Sequence, residues 1–286
     1  MVDRNSGEDM RPDADALLNT SEKKENGTGR LKVFLGAMAG VGKTYAMMEY
    51  AHQELRTGTD IVIGWIDTHD REETVRIAEG IPRIPPKKME YQGHVFEEMD
   101  IDGILERHPQ AVVVDELAHT NISGSRHKRR YLDVEEILAA GISVCTAVNI
   151  QHIESLNDVV AQITGISVHE TVPDSFFKKA DAIEVIDIAP EELTKRLKEG
   201  KIYKQEQAER AVKTFFRSGN ISALREMALR FTAQRADEDM GTYMRANRIT
   251  GPWQASGKRA PLGDDGRPYR GSKSPFSHRG SGKSPH

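Results

Sequence analysis

Long apolar runs are missing: none in the 286 residues approaches the ~18 needed to cross a bilayer, and the mean hydropathy is −0.57. The opening stretch, Met1 to Asp15, is polar and has no apolar signal core, so neither a membrane span nor secretion is expected. Cysteine is nearly absent too. The single Cys145 lies in Ile142-Ser143-Val144-Cys145-Thr146-Ala147, an apolar stretch where a thiol packs as a small hydrophobe. One cysteine excludes a disulfide framework and a Cys-based zinc site. Ten histidines are present, yet none forms a His-Glu-x-x-His pair or a His/Cys cluster with metal-ligand spacing.

Charge is unevenly spread. Gln254 to His286 carries seven Lys/Arg against two Asp, a net of +5, which leaves −9 of the formal −4 for everything before it. Gly, Pro and Ser make up 16 of those 33 residues, too little apolar surface to offset the entropy of ordering, so a disordered basic tail is expected over 254–286. Without aromatic interleaving or a repeated motif, a solvated tail fits it better than a nucleic-acid-binding one. Residues 1–28 read as a flexible segment, with a short helical possibility at Pro12 to Asn19 and a soft linker, Lys24-Glu25-Asn26-Gly27-Thr28-Gly29.

From Arg30 to Ile188 short β-branched runs alternate with longer amphipathic stretches. That alternation predicts an α/β fold, a mostly parallel sheet with helices on both faces in the manner of P-loop NTPases. Strands are expected at Leu31–Leu35, Asp60–Ile66, Ala111–Val114, Ile142–Val148, Ser167–Glu170 and Ile183–Ile188, with a weaker candidate at Lys88–Tyr91. Helices are expected at Lys43–Arg56, Arg71–Glu79, Phe96–Arg107, Tyr131–Ala140, His152–Thr164 and Ser175–Lys179. Residues 29–189 thus form the predicted α/β domain. A helical extension follows over 190–253, with helices at Pro190–Glu199, Gln205–Arg217 and Asn220–Arg235, where Leu224, Met227, Ala228 and Phe231 share one helical face.

The first strand ends in Gly36-Ala37-Met38-Ala39-Gly40-Val41-Gly42-Lys43-Thr44, directly before the helix-forming run that opens with Tyr45. In that context the spacing reads as a P-loop, with Ala37 where the usual Walker A pattern has its first Gly. Gly40, Val41 and Gly42 would aim backbone N–H groups at phosphate, and the helix start adds its partial positive charge. Lys43 would reach the β- and γ-phosphates of ATP, the Thr44 hydroxyl would coordinate Mg²⁺, and Tyr45 completes the binding stretch. Seventy-two residues after Lys43, Ala111-Val112-Val113-Val114-Asp115-Glu116 resembles a Walker B strand. Asp115 would then join Thr44 on the Mg²⁺. For Glu116 two roles stay open, orienting an attacking water or serving as a surface salt-bridge partner.

Three polar clusters fall at expected strand ends, the edge where open α/β sheets bind ligands: Asp67-Thr68-His69-Asp70-Arg71, His119-Thr120-Asn121, and Asn149 with Gln151-His152. Asn149 is the candidate nucleotide contact among them. The loop from Ile122 to Arg130 has the length and charge of a mobile segment over a triphosphate; its arginines, Arg126, Arg129 and Arg130, could stabilise phosphoryl charge, dock a partner or simply be solvated.

These residues resemble the N-terminal cytoplasmic region of the KdpD family, the sensor histidine kinases of bacterial potassium-transport two-component systems. The resemblance runs from about residue 11 to 253. It is carried by the P-loop, by Val112-Val113-Val114-Asp115-Glu116-Leu117-Ala118-His119-Thr120-Asn121, by Val148-Asn149-Ile150-Gln151-His152-Ile153-Glu154-Ser155-Leu156-Asn157-Asp158, and by Ala223-Leu224-Arg225-Glu226-Met227-Ala228-Leu229-Arg230. Ala37 is normal for that family, whereas Asp70 stands where it has Gly. The resemblance implies a cytoplasmic, Mg·ATP-binding input module of a potassium- and osmosensitive sensor kinase. It implies a partner in trans, a membrane sensor kinase or another component of the same system. No phosphoacceptor-His segment, Asn-box or kinase lid is found in the sequence, so phosphohistidine chemistry is not expected within it. A different class of function, a free-standing P-loop ATPase or small-molecule kinase, is separated from the module by steady turnover. Nucleic-acid binding is disfavoured by the −9 body.

Overall fold

The computed structural model describes residues 27–68, 71–202 and 214–249. The expected N-terminal segment up to residue 26, the tail from 254 and most of the helix expected at Gln205–Arg217 lie outside the described residues. Contacts divide the chain into two compact units, residues 1–233 and 234–286, and the first contains every strand among the described residues.

Its strands are β1 (Leu31–Gly36), β2 (Ile61–Trp65), β3 (Lys87–Tyr91), β4 (His94–Glu98), β5 (Ala111–Val114), β6 (Ser143–Asn149) and β7 (Ala182–Ile186). Its helices are α1 (Lys43–Arg56), α2 (Glu72–Ala78), α3 (Ile101–Arg107), α4 (Arg130–Ala139), α5 (Glu154–Thr164), α6 (Asp174–Phe177) and α7 (Pro190–Lys198). The 3₁₀ turn Ile150–His152 links β6 to α5, and the last helix, α8 (Ser218–Ala246), starts in this unit. Five strands form one sheet in the order β2-β5-β6-β1-β7, and each described pairing in it is parallel.

Strand periodicity explains how the sheet is covered on both sides. Alternate side chains point to opposite faces, so Val33 and Leu35, Val62, Val112 and Val114, and Val144 and Val148 join one buried cluster. Phe34, Ile61 and Ile63, Val113, and Cys145 and Ala147 join the other. On the second face Met47, Met48 and Ala51 of α1 complete the packing. On the first face it is completed by Ile101 and Ile104 of α3, Val134 and Ile137 of α4, Val160 of α5, Leu193 and Leu197 of α7, and Ile221, Leu224 and Ala228 of α8. Each Val, Leu, Ile or Met side chain among them contributes about 1.5–3 kcal/mol by leaving water. A strand buried on both faces must be apolar without alternation, which is why β5 reads simply Ala-Val-Val-Val.

Two expectations fail. The helix expected at Phe96–Arg107 is a strand and then a shorter helix: β4 pairs antiparallel with β3 in a separate two-stranded sheet, and α3 begins only at Ile101. The turn between them, Gln92-Gly93, has φ of 52° and 78°, the doubly left-handed geometry that closes a two-residue hairpin with the right twist. The strand expected at Ser167–Glu170 does not form. That stretch is held instead by side chains, Asn157 Nδ2 donating to the Val168 carbonyl at 3.0 Å and the Thr120 N–H donating to Glu170 Oε1 at 2.8 Å.

Candidate functional site

A cavity of about 830 Å³ opens at the carboxyl ends of the sheet strands. It is lined by the loop after β1 and the start of α1, by Asp115 to His119 after β5, by Asn149 and His152 after β6, and by residues of α2 and α7. The loop owes its shape to Gly40 and Gly42, at φ of 88° and 102°, values that side-chain-bearing residues seldom adopt. Gly42 is also the N-cap of α1, which has no side-chain cap and no acidic residue in its first turn. The N–H groups and partial positive charge at the start of a 14-residue helix therefore face the cavity without a capping side chain.

Four of the expected site residues meet there. Lys43 Nζ donates to the Met38 carbonyl at 3.2 Å and to Asn149 Oδ1 at 2.5 Å. The Thr44 hydroxyl donates to Asp115 Oδ2 at 2.9 Å. Asn149 can reach Lys43 because β6 lies between β1 and β5, so its end falls midway between the loop and Asp115. Burial lowers Lys43 to about 8; the Asp115 carboxylate opposes that shift and the Arg71 charge adds to it. Burial likewise raises Asp115 above the usual carboxylate range, against hydrogen bonds from the Glu116 N–H and Thr44. Ala37 and Val41 are both buried in the core; Val41 also lines the cavity, whereas Ala37, expected in the binding stretch, does not. Tyr45 is exposed at the cavity rim.

Glu116 also lines the cavity, but its carboxylate is engaged: Oε2 accepts from Trp65 Nε1 and from Arg130, each at 3.3 Å. Its φ of 55° is uncommon for a residue with a side chain, a local strain that the surrounding bonds hold in place. Arg130 is the larger surprise, because the expected mobile basic loop is pinned. Arg130 opens α4 with its side chain fully buried, 3.1 Å from Glu98 and stacked with its guanidinium centre 4.6 Å from the Trp65 ring. Arg126 pairs with Asp102 and Glu136 at 2.6 Å each, and Arg129 donates to Thr120 Oγ1 at 2.5 Å. None of the three lines the cavity. Four carboxylates account for the pinning of two of these arginines: Glu98 from β4 and Glu116 from beyond β5 hold Arg130, and Asp102 from α3 and Glu136 within α4 hold Arg126. Burial pushes Glu98 up, yet the His119 and Ile122 hydrogen bonds and the charges of His119 and Arg130 outweigh it and hold the carboxyl below its ordinary value.

The other polar clusters divide. His119, His152 and Arg71 line the cavity, with burial lowering His152 while its Nδ1 lies 2.7 Å from the Glu170 carbonyl. Asn121 turns away to donate to Asp133 and the His127 carbonyl, and His69 and Asp70 lie outside the described residues. The sequence pattern did not single out Glu73, Glu170, Arg196, Lys201 or Ile202 for the cavity. Glu170 belongs to the stretch misread as a strand, and Arg196 to Ile202 come from beyond the sheet, where only tertiary packing brings them back. Among the described residues no group of three or more His, Cys, Asp or Glu could hold a metal ion by itself, and no helix is long and apolar enough to cross a membrane.

An open parallel sheet whose glycine-rich first turn, helix start without a side-chain cap and carboxylate from two strands away share one cavity defines a P-loop-like α/β module. Residues 27–236 match the family described as the osmosensitive K⁺ channel His kinase sensor domain, KdpD. The chain is 52% identical over 238 residues to the sensor protein KdpD of Escherichia coli, covering 83% of this chain and 26% of that protein. It is 49% identical over 227 residues to the sensor protein KdpD of Mycobacterium tuberculosis, 79% of this chain and 26% of that protein. To a putative sensor protein KdpD of Synechocystis it is 50% identical over 211 residues, 74% of this chain and 57% of that protein. This chain belongs to the KdpD sensor-domain family. It spans about a quarter of the length of its E. coli and M. tuberculosis relatives.

Proposed function

We propose that the chain is a cytoplasmic, Mg·ATP-binding input module that regulates a KdpD-type, potassium- and osmosensitive sensor kinase. One observation carries this reading: Lys43, Thr44, Asp115 and Asn149 converge on a helix N-terminus that has no cap of its own. Loop N–H groups and the Lys43 ammonium would hold the β- and γ-phosphates, with Asn149 steering the ammonium. The hydroxyl of Thr44 and the carboxylate of Asp115, already 2.9 Å apart, form a hard-oxygen donor pair that fits Mg²⁺. Two protein oxygens are too few for a metal cage, so the ion would arrive with phosphate oxygens completing its shell, where it neutralises phosphate charge.

A free-standing P-loop enzyme is the second reading, favoured by Glu116 in the cavity wall. Against it stands the engagement of that carboxylate by Arg130 and Trp65, which leaves no described residue committed to orienting a water. Equilibrium ATP binding with and without Mg²⁺, followed by a turnover assay on the same sample, separates the two. Binding with turnover well below ~1 s⁻¹ is expected of the module. Several turnovers per second without a partner would promote the enzyme, and the absence of binding would end both.

A further inference from the structure

We infer that Arg196 is a phosphate ligand supplied in cis by α7, and that Ile202 anchors the end of that helix on the glycine-rich loop so that the guanidinium stays within reach. The assignment rests on the nucleotide reading and adds to it a residue from outside the sheet and its loops.

Two placements support it. Arg196 Nη1 lies 3.9 Å from where a Cβ on Gly42 would be, beside the uncapped start of α1. Ile202 is buried, with Cδ1 only 2.2 Å from the corresponding point on Gly40, so any side chain at Gly40 would strike it. Arg196, Ile202 and the loop line the same cavity.

The sequence builds this contact in short steps. Leu193 and Leu197 seat α7 in the core and fix which way the face bearing Arg196 turns. Gly200, at φ 73°, then ends the helix: its N–H donates to the Leu197 carbonyl at 3.1 Å and that of Lys201 to the Arg196 carbonyl at 3.0 Å. This paired closure is the Schellman geometry, which reverses the chain. It sends Ile202 back over the loop, where its carbonyl accepts from Arg71 Nη2 at 3.0 Å.

The electrostatics ask for an anion. Lys43, Arg71, Arg76, Arg196 and Lys201 all line the cavity near a positive helix end, and the Arg71 charge works against the Lys43 ammonium although Asp115 supports it. The cavity's carboxylates, Glu73, Asp115, Glu116 and Glu170, offset part of this charge, and a polyanion among the cations would relieve the repulsion that remains. The present partner of Arg196 is Glu192, an i,i+4 neighbour with Nε to Oε1 at 3.2 Å and both side chains more than a third exposed. An exposed pair of that kind is weak, whereas guanidinium and phosphate form a bidentate, charge-assisted contact, so the exchange is downhill. Phosphate occupancy is thereby passed to α7 instead of staying within the loop.

The test is ATP and AMP binding by the full chain with Mg²⁺. Arg196→Ala is expected to weaken ATP more than about tenfold and AMP less than twofold, since only the longer phosphate chain gains the contact. Arg196→Lys should recover part of the loss, charge without the fork. Lys198→Ala, on the same helix and exposed, should bind as wild type. Ile202→Ala should weaken ATP in the same direction and add little to Arg196→Ala, because both act through one guanidinium. A wild type that binds ATP with Arg196→Ala within twofold of it overturns this assignment alone. A wild type that binds no ATP overturns the nucleotide reading and takes this assignment with it.

Discussion

Lys43 is where burial and function pull against each other. Its ammonium is held in a desolvated cavity at about 8, so near neutrality it keeps its proton but loses it on modest alkalinisation. Phosphate needs the charged form. ATP affinity is therefore expected to be constant below pH 8 and to weaken about tenfold per pH unit above it, a slope that Lys43→Arg should flatten and Lys43→Ala should replace with uniformly weak binding. A pH-independent wild-type affinity from 7 to 9.5 would show that Lys43 does not meet the phosphates. Folding stability moves the other way: between about 8 and 10.5 the unfolded chain binds the Lys43 proton and the folded one does not, so that contribution rises with pH. Cys145, whose thiol burial pushes up, opposes it once the unfolded thiol ionises near 9. Comparing wild type with Lys43→Met removes the cysteine from the difference.

Among the elements, α4 carries the most exposed energetic stake, because its first residue is a buried cation shared between Glu98 and Glu116. Replacing Arg130 by Met takes from Glu98, a buried carboxylate, its guanidinium partner and leaves only His119 and the Ile122 N–H against it, and is expected to cost about 3–5 kcal/mol in denaturant unfolding. Glu98→Gln should also destabilise, and the double variant should cost less than the two singles together. A loss under ~1 kcal/mol for Arg130→Met would mean the pair is not buried as described. None of this was legible in the sequence, where Arg130 closes a run of basic residues that looks solvated. Periodicity records whether a segment is apolar, not which way one charged side chain turns. By contrast β5 and α1 were legible residue for residue, since four small apolar side chains ending in Asp-Glu and an amphipathic run after Gly-Lys-Thr leave little choice. Lys43, Thr44, Asp115 and Asn149 were legible because each sits at a strand end or helix start, positions that the alternation itself marks. Of the β3–β4 hairpin, the weaker candidate Lys88–Tyr91 marked β3, and β4 was missed because Phe96 to Glu98 were read as the first turn of the helix that follows. Arg196 and Ile202 were missed because their place over the loop depends on how α7 packs, which no local pattern encodes.

For the whole molecule, the distinction between a module and an enzyme is one of linkage. An input module acts by letting ligand shift a conformational or folding equilibrium, and the size of that shift depends on differential binding, not on chemistry. The matched region is about a quarter of the E. coli and M. tuberculosis relatives, and in the proposed role a sensor kinase met in trans reads the shift. Saturation at 100 times the dissociation constant should stabilise the fold by ~2.7 kcal/mol, visible as a rise in the denaturant midpoint at unchanged slope. Chelating Mg²⁺ should remove much of that gain, because Thr44 and Asp115 would then face phosphate without the cation that lets a buried carboxylate and a triphosphate share one cavity. Asp115→Asn sharpens the test: with the carboxylate charge gone, ATP stabilisation should become largely insensitive to chelation while binding through Lys43 persists. Equal stabilisation of the wild type with and without Mg²⁺ would show that Thr44 and Asp115 do not hold the ion, and an unchanged midpoint at saturating ATP would show that the cavity does not take the nucleotide.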